Sequence, residues 1–362
     1  MLVIGGSSFD AHPTTLSFDI TYRCNLRCTM CHVWELAEGA DRPELTTDEI
    51  LRFIGEFQKQ LGIREVRFLG GEPLIRQDLP EIIERLSPSL FTEIVTNGTL
   101  ITRGLAERLV DSGLSHIRFS IDGPAEIHDG LRGKGAFDKA IRAIDVIQQV
   151  KREKNTHRPR VTIWPTISKV NCGHLEEIYR LATKKEAGFH FHFLVDRGGP
   201  LADTAVDGEA VGSRCLVDPG GLRLSREEEE AVLSRYLRLL WKRDGDFRKR
   251  LRPGLRVLGM QLYRRLTRSF YLDCSRSIRI VVMDPWGELF PCEHLHGYSY
   301  GNGCVEGPSV WLSAKRKHLR RMIEKGVLPV CRECNEHCSH RYLTDFVGVR
   351  KKFLGRALRL GG

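Results

Sequence analysis

Short apolar runs and helix-period segments alternate along the chain from about residue 15 to 196. The runs 16–21, 65–69, 93–96, 116–121, 161–166 and 189–195 are rich in Val, Ile and Phe. Their near-continuous apolarity predicts strands of a parallel sheet covered on both faces. Between them, 46–60 opens with Thr46 and Glu49 in capping-box spacing, and 136–151 carries Phe137, Ala140, Ile141, Ile144 and Ile147 at helical spacing. Six β-then-α units in series predict an α/β fold. Six is two short of a closed eight-unit barrel, so the expected architecture is a partial (β/α)6 barrel. Residues 197–225 are rich in Gly and Asp and read as a loop, 226–269 as helical and basic, and 270–345 as a small cysteine-rich domain with strands near 278–283 and 288–291. The expected division is therefore a lead-in over 1–14, a core over 15–215, a linker and basic helical segment over 216–269, the small domain over 270–345, and a basic tail over 346–362.

Composition changes this picture in two places. The 362 residues are 41% hydrophobic and 28% charged, ordinary for a chain that buries a core. No run of eighteen apolar residues is present, and the first residues lack the basic start of a secretory signal, so a cytoplasmic location is expected. Eleven cysteines in such a chain point to metal or redox chemistry rather than structural disulfides. The net charge of +10 is regional, since residues 231–268 hold twelve Arg/Lys against Asp244 and Asp246. Three readings of that stretch compete: a solvated face of a helix packed on the barrel, a peripheral contact with an anionic membrane surface, or a nucleic-acid contact. Nucleic acid is the least favoured, because no recognised binding module accompanies the charge.

Cys24, Cys28 and Cys31 stand in C-x3-C-x2-C spacing directly after the first predicted strand, where α/β folds place their chemistry. Thiolates on one short loop select zinc or an iron–sulfur cluster. A structural zinc site closes with four ligands, so three alone also fit half of a zinc site. Three on a cubane leave one iron open to a small chelating molecule. On these residues the chain resembles the radical S-adenosylmethionine (SAM) superfamily, whose cluster motif this is. The resemblance implies a [4Fe–4S] cluster whose open iron chelates SAM, and reductive cleavage of SAM to a 5′-deoxyadenosyl radical that abstracts hydrogen from a substrate. It also implies an external electron donor of the flavodoxin or ferredoxin type. Met30 stands where the family usually has an aromatic residue near adenine, and a Met fills such a gap as a soft apolar contact.

Further motifs follow in the family's order. Gly70, Gly71, Glu72 and Pro73 resemble its GGEP motif, in which the glycines admit the ligand and the Glu accepts from the SAM amino group. Thr96-Asn97-Gly98 and Ser120-Ile121-Asp122-Gly123 end the third and fourth predicted strands, and Asn97, Ser120 and Asp122 match nucleoside-contacting positions. Arg132, within a His128-Asp129 to Gly135 pattern, is carried over as a contact to the SAM carboxylate, which suits a guanidinium fork.

Cys274, Gly287 and Cys292, then Cys331, Cys334 and Cys338, resemble the SPASM/Twitch auxiliary-cluster domain. The chain departs from the full SPASM pattern: the gap after Cys334 is shortened, and no cysteine follows Cys338. Five ligands rather than eight favour one auxiliary [4Fe–4S] cluster, with Cys274 and Cys292 joined by two of the other three, over a second cluster using a non-cysteine ligand. A zinc knuckle with His337 or His340 is the competing reading. Cys172, Cys215 and Cys304 have no ligand spacing and read as buried structural thiols. Glu293 follows Cys292 where some peptide-oxidising relatives carry an acid, and is a candidate general base. The expected function is a radical SAM enzyme whose auxiliary cluster assists oxidation or bond formation, on a peptide or protein, a lipid-linked compound or a small metabolite. A non-catalytic zinc- or nucleic-acid-binding protein is the rival from another class.

Overall fold

The capping box at Thr46 forms as the sequence requires. Glu49 Oε2 accepts from the Thr46 N–H at 2.8 Å, the Glu49 N–H donates back to Thr46 Oγ1, and the helix stops at Gly62 in the left-handed region. That helix, α1 (Thr47–Leu61), buries Ile50, Phe53, Ile54, Phe57 and Leu61. The structure, a computed structural model, describes residues 13–38, 42–194, 205–206, 209–210, 221–243, 280–292, 295, 297–324 and 328. Strands β1 (Thr15–Thr21), β2 (Glu65–Gly70), β3 (Phe91–Thr96), β4 (His116–Phe119), β5 (Arg160–Ile163) and β7 (Gly188–Phe189) lie parallel in chain order, six as expected. Helices α2 (Leu79–Leu86), α3 (Arg103–Asp111), α4 (Ala125–Arg132), α5 (Ala136–Glu153) and α6 (Leu175–Lys184) connect them. The edge strands of this sheet are not paired with each other, so it is open.

Two predicted strands are broken. The run 161–166 divides at Pro165, which has no N–H to give a ladder, into β5 and β6 (Thr166–Ile167). The run 189–195 divides into β7 and β8 (His192–Phe193), and β8 pairs with β6 in a separate parallel pair. Within the predicted loop, β9 (Ala205–Val206) and β10 (Glu209–Ala210) form a short antiparallel hairpin. At the other edge of the main sheet, β11 (Ile280–Met283) adds in parallel to β1, with β12 (Glu288–Phe290) and β13 (Gly301–Asn302) antiparallel beyond it. The strands read as part of a separate small domain thus continue the core sheet. Helix α7 (Arg226–Arg243) opens the basic segment, and its Val232, Leu233 and Tyr236 are buried. Tyr236 packs on Phe189 and Phe191, so these apolar groups face the core rather than a lipid surface. Residues 244–268 and the tail lie outside the described residues. Among the described residues no helix is long and apolar enough to cross a membrane.

The expectation of strands apolar on both faces also fails, for an informative reason. Phe18, Phe68, Ile94, Phe119 and Ile163 are fully buried within the hydrophobic core. The alternate positions on β2, β3 and β4 are charged. Glu93 accepts from Arg118 Nη2 at 2.9 Å and pairs with His116 Nδ1 at 2.8 Å, while Arg67 bridges Glu65 and Glu93 at 2.6 and 3.4 Å. Burial alone would raise the Glu93 carboxyl. The His116 hydrogen bond and the Arg118 and Arg67 guanidiniums outweigh it and hold the group at about 2, against an ordinary 4.5. The stability this contributes is present above pH 4.5 and is lost as the pH falls toward 2. Urea melts over that range are expected to lose about 3 kcal/mol through Glu93, and Glu93→Gln to flatten the decline. An unchanged pH slope in the variant would contradict the assignment.

Candidate active site

The loop after β1 is tied down at both ends. The Thr29 N–H donates to Leu131 O at 2.9 Å, the Cys31 N–H to Cys28 O at 3.1 Å, and Trp34 Nε1 to Cys31 O at 2.9 Å. Asn25 receives Asn97 Nδ2 at 3.0 Å and donates to Thr99 at 2.8 Å, which joins the loop to the end of β3. Cys24, Cys28 and Cys31 form no disulfide, are half-buried, and line one cavity of about 230 Å³. Burial pushes the Cys24 thiol up to about 11 and raises that of Cys28, where Arg132 opposes the rise. Such thiols bind as thiolates only when a metal takes the proton's place.

Gly70, Gly71, Asn97, Ser120 and Arg132 line the same cavity, so five predicted cofactor residues meet the three cysteines. The glycines are required by backbone crowding. A Cβ on Gly70, at φ +113°, would stand 2.1 Å from Thr21 O, and one on Gly71 2.3 Å from Arg23 O. Glu72, Pro73 and Asp122 do not line the cavity; they build its wall. Glu72 is 1% exposed, and its carboxylate accepts from Thr96 Oγ1 and the Asn97 N–H at 2.7 Å each and from the Leu74 N–H at 3.1 Å. Burial carries its pKa up to about 7 against those donors. These bonds lock the glycine turn to β3.

Asp122 is likewise wholly buried. Its Oδ2 accepts from Arg132 Nε and its Oδ1 from the Thr166 N–H at 2.9 Å. The Asp122 N–H donates to His128 Nδ1 at 3.1 Å, and burial lowers His128 to about 4, so this imidazole is neutral at pH 7. Asp129 accepts from the N–H groups of Gly135 and Phe137 and fastens the start of α5. The His128-to-Gly135 pattern is thus a scaffold that holds Arg132 at the cavity.

The donor set suits a cubane. Three cysteines at one cavity offer a cubane one thiolate at each of three irons. Beside the thiols stand a guanidinium and an apolar contact: Met30 is 4% exposed and packs with Leu131 and Leu194. Sequence reasoning missed Thr166, His192 and Phe193, which complete the far wall. The Phe/His alternation over 189–193 carried that signal, since it places both histidines on one face of an extended segment.

Of the second cysteine group only Cys292 is described. It follows β12, whose Phe290 is level with Val282 and hence with Ser17 of β1. Because β12 runs antiparallel to β1, Cys292 stands toward the start of β1, the end opposite the cysteine loop. Cys274, Glu293, Cys331, Cys334 and Cys338 lie outside the described residues, as does Cys215. Cys172 and Cys304, read as buried structural thiols, are only half-buried. A Cβ on Gly287 would meet Cys304 Sγ at 2.7 Å, so that glycine serves the β11–β12 turn and its packing.

A parallel α/β sheet with three cysteines and a glycine turn at the strand ends defines the class. A profile of the Radical SAM superfamily matches residues 18–182, and the chain belongs to that superfamily. The AdoMet-dependent heme synthase of Oleidesulfovibrio alaskensis is 34% identical over 307 residues, which cover 77% of this chain and 69% of that protein. The Fe-coproporphyrin III synthase of Methanosarcina barkeri is 31% identical over 64% of this chain and 53% of its own length. The PqqA peptide cyclase of Granulibacter bethesdensis is 36% identical over 38% of this chain and 37% of its own. The chain thus spans about half the length, or less, of several curated relatives it matches. Among solved structures, anSMEcpe with bound AdoMet superposes at a TM-score of 0.64, with 19% identity, over 89% of this chain and 84% of that one; the likeness is one of fold.

Proposed function

We propose that this chain is a radical SAM oxidoreductase that takes hydrogen from a carboxylated tetrapyrrole or a peptide. The observation that carries it is the convergence of Cys24, Cys28 and Cys31 with Gly70, Gly71, Asn97, Ser120 and Arg132 on one cavity. A [4Fe–4S] cluster with SAM at its open iron supplies the 5′-deoxyadenosyl radical. The three cysteines hold three irons. Gly70 and Gly71 let backbone approach the ligand, Arg132 offers its guanidinium to the SAM carboxylate, and Asn97 and Ser120 face the nucleoside. Glu72 and Asp122 keep these groups in place from behind. The tetrapyrrole reading is supported by the heme-synthase match, which spans most of the chain; the peptide reading by the shorter match to a peptide cyclase.

Cys274, Cys292 and two of Cys331, Cys334 and Cys338 are the proposed ligands of an auxiliary [4Fe–4S] cluster. Glu293 beside it is the proposed base for a substrate proton. Electrons come from a flavodoxin- or ferredoxin-type donor, and the basic segment beyond 243 is a proposed contact with anionic lipid.

Metal analysis of anaerobically purified protein tests the reading. About eight irons per chain, brown absorbance near ~400 nm and 5′-deoxyadenosine after reduction with SAM are expected. Zinc without iron would reverse it in favour of a zinc-binding protein.

A further inference from the structure

Below the cofactor cavity the strands carry donors that the cysteine loop does not use. Leu69 and Val95 belong to the cavity wall, and the sheet register places Arg118 directly beside Val95 on β4. Trp164 follows β5, whose Ile163 pairs with Phe119, so it stands level with the cavity residue Ser120, two residues beyond Arg118. The guanidinium carbon of Arg118 lies 4.3 Å from the Trp164 ring centre, and the ring meets His192 edge-on at 5.0 Å. His192 is itself a cavity residue, with Nε2 at 3.0 Å from Thr166 Oγ1.

Arg118 spends Nη2 on Glu93. Its Nε–H is buried and finds no acceptor among the described residues, and the same holds for Nε1–H of Trp164. Folded chains pair nearly all such donors, so two left open on touching side chains mark a place for an oxygen from elsewhere. Both side chains are held: Arg118 by Glu93, Trp164 by the stacked guanidinium and His192. Arg118 keeps 14% of its side chain accessible. The cavity wall next to this pair contains Arg132 and His192 and no Asp or Glu, and Glu93, the carboxylate bonded to Arg118, is itself shared with His116 and Arg67.

We propose that Arg118 and Trp164 form an oxygen-binding subsite on the strand wall beneath the cofactor cavity, and that the substrate places a carboxylate on it. The proposal rests on the radical SAM reading, because that reading puts the substrate in this cavity. A guanidinium N–H beside an indole N–H suits the two oxygens of a carboxylate, and a charge-assisted pair of this kind orients the substrate as well as binding it. Trp164 and Arg118 are then specificity-determining residues.

The experiment is a binding titration of the iron-loaded, SAM-bound protein with two probes. One is Fe-coproporphyrin III, whose propionates carry the carboxylates, against its tetramethyl ester; the other is an Asp/Glu-containing peptide against its Asn/Gln counterpart. One free acid is expected to bind at least tenfold more tightly than its neutral form, and whichever does names the source of the carboxylate. Trp164→Phe keeps an aromatic face, smaller than the indole, and deletes the N–H; it is expected to weaken the acid about tenfold while changing the neutral form little, so the ratio of the two affinities is the readout. Arg118→Lys should act in the same direction, and because it also disturbs Glu93 the Trp164 variant decides if it fails to fold. Equal affinity for acid and neutral forms, no binding of either acid, or an unaffected Trp164→Phe variant overturns the subsite. Cleavage of SAM by the unmutated protein is measured alongside: its absence would strike the radical SAM reading, whereas its presence with no acid preference would strike the subsite alone.

Discussion

Replacing Cys24, Cys28 and Cys31 together by Ala is expected to remove about half of the iron and to abolish 5′-deoxyadenosine formation from SAM. The three thiols line one cavity on a loop held by Leu131, Asn97 and Thr99, so loss of all three leaves no donor for the first cluster. The loop's own backbone bonds to Leu131 do not involve the sulfurs, so the barrel should remain folded. Iron quantification, circular dichroism and a chromatographic assay for 5′-deoxyadenosine check the three parts. Normal 5′-deoxyadenosine production by the triple variant would sink the cluster assignment. Glu72→Gln provides the contrast. The Gln amide keeps one of the two acceptor oxygens that hold Thr96, Leu74 and Asn97, and iron content should be retained while SAM affinity falls as the glycine turn loosens. Iron loss equal to that of the cysteine variant would contradict a positioning role.

The second large effect is expected at the second cysteine group. Cys274→Ala with Cys292→Ala should retain the first cluster and uncoupled SAM cleavage but lose product formation on the true substrate. Cys292 stands beyond β12, toward the start of β1, whereas the cysteine loop follows the other end of that strand. The proposed auxiliary site should therefore empty separately from the first, although metal ligation also contributes folding energy to the segment that holds it. Iron content, measured together with turnover, separates a lost cluster from a lost fold. Normal turnover by the double variant would make the second cysteine group structural and end its assignment to electron transfer.

Much of the catalytic end is legible in the sequence because its signals are local. Three cysteines on eight consecutive residues, a Gly-Gly turn after an apolar run, and Asn97 and Ser120 just past two others all sit where one strand ends. A strand followed by a helix announces its end through a change of period, so order and spacing suffice to bring those ends to one side of a parallel sheet. Arg132 is of the same kind: it closes α4, inside one short motif that runs on to the start of α5.

The sequence by itself therefore determined the six β/α units, the capped helix α1, the cysteine loop and the identity of most cavity residues, since each depends on contacts within a few residues. Tertiary structure alone decided what those residues do to one another. That Glu72 and Asp122 stand behind the cavity rather than in it follows from where β3, α4 and β6 come to rest, and a carboxylate reads the same in sequence whether it meets a ligand or three backbone and side-chain donors. That one face of β2, β3 and β4 is charged is hidden inside runs that read as near-continuously apolar, because Glu93 finds His116, Arg118 and Arg67 only when the strands align in register. The pairing of β11 with β1 had no signature at all, as backbone hydrogen bonds between strands far apart in sequence leave no mark on side-chain identity. His192 and Trp164 became cavity-side residues only once Pro165 broke the fifth strand and turned the chain across the end of the sheet, a consequence of one missing N–H that no periodicity records.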